Sequence, residues 1–572
     1  MFLVAITKEE ISQNFQNVTI EEQKIHPFLI TVITDDFLSK YIPEENGFSV
    51  IESPLMQYSN FRDIIFSRAK FNKNDNSFII LQSIISGRPI YYTINSIGDF
   101  YCSTHISMLR KAGVQIKEDP SVLPEFFIYR HVMPPKTLYK NIKKILIGGQ
   151  LKIELKNDKC LVKSIDKYTL PEKNKQIKSI GNSAAETYSY LLESIKSLDV
   201  AKDEIAILLS GGIDSSIIST ICKDIFAINK SYSTGYPFES PNLNVEKKYA
   251  LSAAEALGMD HHYYEPDSQE YLSGLIEAIS LAEEPVHHLQ SVLAHLLWKN
   301  EIPSNEKIVL CGQGRGTTFG DNHFLYINEN RDRAVFRLLS TKPSIHILKM
   351  ISKVMGRGEE LVEIMKKSNH EYPLFNSENP IWSWMAHGNK NWACNYFNVT
   401  EEDIIRERYS FIKEFSDMSI NDIWSLYSLF GDEDVTLSIW SKIGEGNKRI
   451  IYFPFYDLNL LNYVFSIPWN LKLRKYNILA KELAHQSKLP EFIINRPKSS
   501  FGIRSRQWSI KGGVFEPLVP LASKVFEEKE IRKMQSSDPK KAMTFWNILN
   551  YSIWKRLCIN NEPLEVLLEE IG

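Results

Sequence analysis

Ile205-Ala206-Ile207-Leu208-Leu209-Ser210-Gly211-Gly212-Ile213-Asp214-Ser215-Ser216 is the stretch that decides the fold. Its first five residues are an unbroken apolar run, the pattern of a strand buried on both faces. The two glycines allow a tight turn and let the backbone approach a ligand with no Cβ in the way. A helix is expected from Ile213 to Cys222, directly after the turn. Its free amides and positive dipole end then face the turn and make an anion site. Ser210 and Ser215 add hydroxyl donors, and Asp214 adds a carboxylate able to hold Mg²⁺ against phosphate oxygens. The spacing is not GxxxxGK[ST], so γ-phosphate transfer of the P-loop type is not implied.

Working outward, strand and glycine turn recur at Ile308-Val309-Leu310-Cys311-Gly312. Strands alternating with helices imply a parallel sheet covered on both faces. A helix is expected from Ser183, where Ser183 and Glu186 form a candidate capping box and Ala184, Tyr188, Leu191, Leu192 and Ile195 repeat at helical spacing. Upstream, Phe78–Leu81 and Ile90–Ile94 read as strands. Leu151–Leu155 turns through Lys156-Asn157-Asp158 toward Cys160–Val162, a hairpin signal. The polar stretch from Pro171 to Gly181 reads as a linker. Two domains are therefore expected, 1–175 and 183–572. Residues 330–450 read as helical and aromatic, with no motif.

Composition narrows the class. The chain has 572 residues, 43% hydrophobic and 24% charged, which excludes wholesale disorder. Its 67 basic and 69 acidic residues leave a net charge of −2, without the basic excess of a nucleic-acid binder. No apolar run approaches the roughly 20 residues that span a bilayer. Met1–Ile6 meets Lys8, Glu9 and Glu10 too soon for a signal-peptide core. Six cysteines are scattered without CxxC spacing, so neither a zinc site nor a disulfide framework is indicated. A cytoplasmic location is expected.

The segment Ser210–Ser216 resembles the SGGxDS pyrophosphate loop of the ATP-pyrophosphatase group. Its surroundings resemble the asparagine synthetase family, which includes β-lactam synthetases and lasso peptide cyclases. The resemblance continues in order through Ser233-Thr234-Gly235-Tyr236, Ala250–Leu257 with Gly258-Met259-Asp260-His261-His262, and Glu284-Pro285. It then runs through Val309–Gly314, Phe453-Pro454-Phe455-Tyr456-Asp457, Leu489-Pro490 and Arg496-Pro497-Lys498-Ser499-Ser500-Phe501. The fold it implies is an α/β chain: an N-terminal glutaminase-like α+β sandwich, then a parallel-sheet adenine-nucleotide-binding synthetase domain with mostly helical additions. The implied chemistry has two steps, with ATP and Mg²⁺ as cofactors. A carboxylate attacks the α-phosphate of ATP and releases pyrophosphate; an amine then displaces AMP. Ile207, Leu208 and Ser233 fall where the family seats adenine. Ser210, Gly211, Gly212, Asp214, Ser215, Gly312 and Gln313 fall around the phosphates, with Asp214 as metal ligand. Lys498 falls where a lysine neutralises charge at the adenylate. His261 and His262 read as structural.

Three departures from the family shape the expectation. Glutamine-hydrolysing members start with a cysteine nucleophile, whereas Phe2 stands here and no cysteine precedes Cys102, so glutamine hydrolysis is not expected. The family loop GxGxDE supplies a second metal-ligating aspartate, but Gly316 and Thr317 stand at those positions. Asp214 alone can suffice, Asp321 or Arg315 can compensate, or the site is impaired. Gln313 occupies a position that is acidic in asparagine synthetases and a catalytic tyrosine in β-lactam synthetases, and a glutamine is no base. Glu445 is the candidate base. The resulting expectation is an AMP-forming amide ligase, favoured as a lasso peptide macrolactam cyclase. Its substrate would be a peptide or small molecule bearing a carboxylate and an amine, and a precursor-processing protease is a possible partner. A β-lactam synthetase-like or intermolecular ligase, and a degenerate scaffold, are the alternatives.

Overall fold

The computed structural model describes residues 1–11, 15, 18–35, 39–52, 67–84, 87–198, 200–236, 245–320, 323–330, 342–355, 387–404, 408, 418–496 and 505–572. The N-terminal part is two six-stranded antiparallel sheets. The first has the order β10-β8-β9-β1-β3-β2, built from β1 (Phe2–Thr7), β2 (Thr19–Ile25), β3 (Phe28–Thr34), β8 (Tyr91–Ile94), β9 (Phe100–Ser103) and β10 (Lys143–Lys144). The second has the order β12-β11-β7-β6-β5-β4, from β4 (Ser39–Glu44), β5 (Gly47–Glu52), β6 (Ser67–Asn72), β7 (Ser77–Gln82), β11 (Gln150–Lys156) and β12 (Lys159–Asp166). Alternation along each strand sends Phe2, Val4, Ile6, Val50, Phe71 and Ile80 into the space between the sheets. Leu3, Ala5 and Ile33 point the other way, into the large core shared with the C-terminal part. The expected hairpin is β11–β12, and Asn157 and Asp158 both take positive φ at its turn.

The expected parallel sheet follows. β13 (Ile205–Ile207), β16 (Ile308–Leu310) and β17 (Ile450–Tyr452) pair in parallel, as do β14 (Lys230–Thr234) and β15 (Asp260–Tyr264). A parallel bridge between Leu208 and Tyr232 joins the two pieces in the order β15-β14-β13-β16-β17. The unbroken apolar runs are explained by burial on both faces. Ile205, Ile207, Ile308, Leu310 and Tyr452 face one core beneath the helices Ile180–Lys196, Ile213–Phe226 and Ile478–Gln486. Ala206, Val309 and Ile451 face the other core, which holds Trp298 and Leu293.

One boundary differs from expectation. The first helix of this part starts at Ile180, not Ser183, because Ser179 has the extended backbone of a cap and its Oγ accepts from the Asn182 amide at 3.2 Å. Ser183 is inside the helix and donates to the Ser179 carbonyl at 2.9 Å.

Buried polar pairs fasten the sandwich to the rest of the chain. Lys144 on β10 meets Asp434 at 2.8 Å, and the Tyr91 hydroxyl donates to Glu284 at 2.5 Å. Glu283 accepts from the amides of Ile106 and Ser107 and from Lys442, at 2.7, 2.8 and 2.7 Å.

Candidate functional site

β13 hands on to β14 on one side, while β16 lies on the other. The loops leaving β13 and β16 therefore part company at the carboxyl ends of the strands, the switch point where open α/β sheets bind ligands. An open cleft of about 320 Å³ lies there. Leu208, Ser210, Gly212, Asp214, Ser215, Ser233, Gly312 and Gln313 all line it, together with Tyr232, Thr234, Gln290, Leu297 and Trp440. Ile207 is fully buried behind it in the core, and neither Ile207 nor Gly211 is among its lining residues. One wall is apolar and aromatic and the other is Ser/Gly backbone, as a base and a polyphosphate would require.

The glycines have separate reasons to be glycine. Gly211 has φ +71°, and a Cβ would lie 2.4 Å from the Tyr249 carbonyl oxygen. Gly312 brings the second loop against the first: a Cβ would lie 2.7 Å from the Ser215 amide nitrogen. The turn is internally bonded, with the Ser210 amide donating to Ser215 Oγ at 3.1 Å and Ser215 Oγ donating to the Gly212 carbonyl at 3.2 Å. Arg496 closes it from outside, donating to the Ser210 carbonyl at 3.0 Å and pairing with Glu246 at 2.7 Å. Lys498 and Asp321 lie outside the described residues.

On the apolar side, Ser233 Oγ and Ser231 Oγ bracket His261, at 2.7 Å from Nε2 and 2.9 Å from Nδ1. Burial, with His262 adding to it, lowers the His261 imidazole to about 4, so it is neutral at pH 7 and orients Ser233. Thr234 Oγ1 is buried at the cleft with no hydrogen-bond partner among the described residues, an orphan that a ligand can satisfy.

Asp214 is the one acidic side chain lining the cleft among the described residues. It forms an ion pair with Arg315, whose Nη1 also donates to Asn477 at 2.9 Å. Gly316 offers no ligand, and the Thr317 hydroxyl is committed to Ser428 at 3.1 Å and Glu433 at 2.9 Å. These residues do not fit a resident metal pair held by two loop carboxylates.

Glu433 escaped the sequence reading. Its Oε2 accepts from the Tyr456 hydroxyl at 2.8 Å and from Gln313 Nε2 at 3.3 Å, and its Oε1 accepts from Thr317. Burial first, and the neighbouring Asp432 charge second, raise its carboxyl above the ordinary range. It thus sits behind Gln313, which lines the cleft while Glu433 itself does not, as a buried carboxyl inclined to hold a proton. A signal did exist: Asp432-Glu433-Asp434 is a run of three acids inside an apolar helical stretch. A π-turn over Leu429–Glu433 spreads them, so Asp432 meets His287 at 2.9 Å, Glu433 meets Tyr456, and Asp434 meets Lys144.

Glu445 is placed elsewhere. It is buried among Arg88, His105 at 3.4 Å and the Met1 amino group at 2.9 Å, and is not among the cleft's lining residues. Burial opposes its ionisation, but Arg88 and those partners outweigh it and hold the carboxyl well below the usual range. A carboxylate so paired does not accept protons near neutrality, so Glu433 replaces it as the candidate base.

A separate group, His131, His287 and Asp432, brings its ligand atoms within 4.8 Å of one another. Two guanidiniums already serve it: Arg408 lies 3.3 Å from His131 Nε2 and Arg130 lies 3.8 Å from Asp432, which opposes a cation there.

A parallel-sheet switch-point cleft beside a Ser-Gly-Gly turn is the arrangement of a site for a nucleotide or another polyphosphate. Residues 186–556 match the asparagine synthase family model, so the chain belongs to the asparagine synthase family. It is 24% identical over 457 residues to "asparagine synthetase [glutamine-hydrolyzing] 1" of Bacillus subtilis, covering 78% of this chain and 68% of that protein. A second Bacillus subtilis protein, "asparagine synthetase [glutamine-hydrolyzing] 3", is 22% identical over 454 residues, covering 76% and 67% respectively. At that level the chain is an ATP-dependent ligase forming C–N bonds. No helix among the described residues is long and apolar enough to cross a membrane.

Proposed function

We infer that this chain adenylates a substrate carboxylate and couples it to an amine carried by a substrate, without hydrolysing glutamine. A carboxylate oxygen attacks the α-phosphorus of ATP and the bond to the β-phosphate breaks. Glu433 takes one proton from the ammonium; the amine nitrogen then attacks the acyl carbon, AMP leaves, and the second proton lost from nitrogen passes to solvent. The observation that carries this reading is Glu433 itself, buried behind Gln313 and held by Tyr456 and Thr317. A base is needed when the nucleophile is an alkyl ammonium at neutral pH. The N-terminal sandwich supports the loss of glutaminase chemistry. Phe2 is fully buried between the sheets, and burial raises both of that part's thiols, Cys102 strongly and Cys160 to about 12.

Among such ligases the favoured reading is a lasso peptide macrolactam cyclase, joining a peptide's amino terminus to an Asp or Glu side chain in the cytoplasm. A protease that trims the precursor would be its partner. The test is ATP–pyrophosphate exchange and AMP release with Mg²⁺ over a panel of peptide and amino-acid carboxylates. Substrate-dependent AMP formation, lost in Asp214→Ala and Lys498→Ala, is the expected result. Stoichiometric release of glutamate from glutamine would overturn the glutaminase-free reading.

A further inference from the structure

Resting on the reading of this cleft as an ATP site, we propose that Arg315 neutralises the departing pyrophosphate, in place of a metal ion held by a second loop carboxylate. Four observations converge on this. The acid is missing from a place with room for it: a Cβ on Gly316 would meet nothing within 4 Å, and its backbone is outside the left-handed region. Sterics therefore do not require glycine there. The next residue cannot substitute, because the Thr317 hydroxyl is spent on Ser428 and Glu433. A cation stands in the same loop instead, with Arg315 packed to 5% exposure and aimed at the pyrophosphate turn. Finally, its partner Asp214 is 34% exposed and lines the cleft, so an incoming anion arrives at Asp214 with Arg315 paired directly behind it.

The electrostatics fit that exchange. A guanidinium keeps its proton at every accessible pH and matches two phosphate oxygens with its planar fork. Buried without an anion it would be costly, so Asp214 holds it paired until phosphate oxygens arrive. Asn477 fixes its far end: it stands at the start of the helix Ile478–Gln486, and its Oδ1 accepts from Nη1 at 2.9 Å. The pairing thus keeps the guanidinium pre-positioned rather than letting it wander in solvent.

The test is calorimetric titration of inorganic pyrophosphate into the full chain, in EDTA and again in excess Mg²⁺. The wild type is expected to bind pyrophosphate in EDTA. Arg315→Ala should weaken that binding ten- to hundredfold, the scale of lost charge-assisted hydrogen bonds. Arg315→Lys should retain part of it, because charge survives but the fork does not. Asp214→Asn should tighten metal-free binding by removing the competitor for Arg315. Gly316→Asp should weaken binding in EDTA and restore it in Mg²⁺. Should Arg315→Ala fail to fold, as thermal melting would reveal, the opposite signs expected of Arg315→Lys and Asp214→Asn decide the matter. Pyrophosphate binding that requires Mg²⁺, is abolished by Asp214→Asn and is indifferent to Arg315→Lys would overturn this inference and leave the ligase reading intact. No binding of pyrophosphate or ATP in either buffer would overturn both.

Discussion

Replacing Glu433 by Gln preserves the shape of the side chain and removes its ability to take a proton. The hydrogen bonds can be followed one by one. The amide oxygen, set where Oε2 lies, still accepts from Tyr456 and Gln313. The amide nitrogen, set where Oε1 lies, faces the Thr317 hydroxyl, which reverses to accept and donates to Ser428 Oγ 3.1 Å away. The second amide hydrogen and the Ser428 hydroxyl proton are left without an acceptor among these partners, so E433Q should fold at a cost of about 1–3 kcal/mol. Its stability should fall less than that of wild type as pH rises. Because the folded carboxyl is raised above its unfolded value, the native state binds the extra proton between those two values. Stability contributed by that proton is present at low pH and lost as pH rises through the raised value, and the variant lacks this loss.

Catalysis should suffer instead. A positioned base contributes roughly 10²–10⁴ in rate, equivalent to about 3–5 kcal/mol at the barrier. The two half-reactions separate the effect: pyrophosphate exchange reports adenylation, and single-turnover amide formation reports amine attack. E433Q should exchange pyrophosphate normally and lose only the second step. The rising limb of the wild-type pH–rate profile should disappear with it. Equal loss of both steps, or unimpaired amide formation, would refute the assignment.

Further outcomes follow from the geometry. Gly312→Ala puts a Cβ 2.7 Å from the Ser215 nitrogen, backbone that cannot step aside; overpacking of this kind costs about 1–3 kcal/mol, and both the melting temperature and ATP affinity should fall. Lys144→Met strands the fully buried Asp434 carboxylate, whose partner is 2.8 Å away. Chemical denaturation should register a loss of about 3–5 kcal/mol, whereas Lys144→Met with Asp434→Leu should recover most of it. His261, lowered to about 4, binds fewer protons folded than unfolded between that value and the ordinary imidazole range. Its contribution to stability is present above that range and lost as pH falls through it toward 4. The gap in denaturation midpoint between pH 7 and pH 4.5 should therefore narrow in His261→Asn.

What could be read from the sequence, and what could not, divides along a physical line. The Ser210–Ser215 turn was legible because strand, glycine turn and helix are adjacent in the chain, and local backbone physics is enough to assemble them. Gly312 and Gln313 were legible for the same reason on the next strand. Glu445 was placed wrongly because a lone carboxylate in the chain carries no mark of which interface it is buried in; its partner Arg88 is 357 residues away. Glu433 was invisible because its role depends on Tyr456, Thr317 and Gln313, from three separate segments, and on a π-turn that no periodicity announces. The expectation for Lys498 rests on resemblance alone, and that residue lies outside the described residues.

One consequence ties the two carboxylates together. Asp214 and Glu433 both meet the Gly312–Thr317 loop: Arg315 pairs with Asp214, while Gln313 and Thr317 hold Glu433. Glu433 takes a proton most readily when few cations are near, since a positive neighbour would lower a carboxyl that burial has raised. Arg315 paired with Asp214 is electrically near neutral and leaves Glu433 basic. Phosphate binding that draws Arg315 away adds negative charge while Asp214 stays in place, which raises the Glu433 carboxyl further rather than lowering it. A loop carrying two acids and their metals would impose a different field on Glu433. On the proposed function, Gly316 and Thr317 in place of the loop's two acids, with Arg315 beside them, shift which group does the work: less charge is spent on metals at the phosphates, and a buried base at the amine is left more basic.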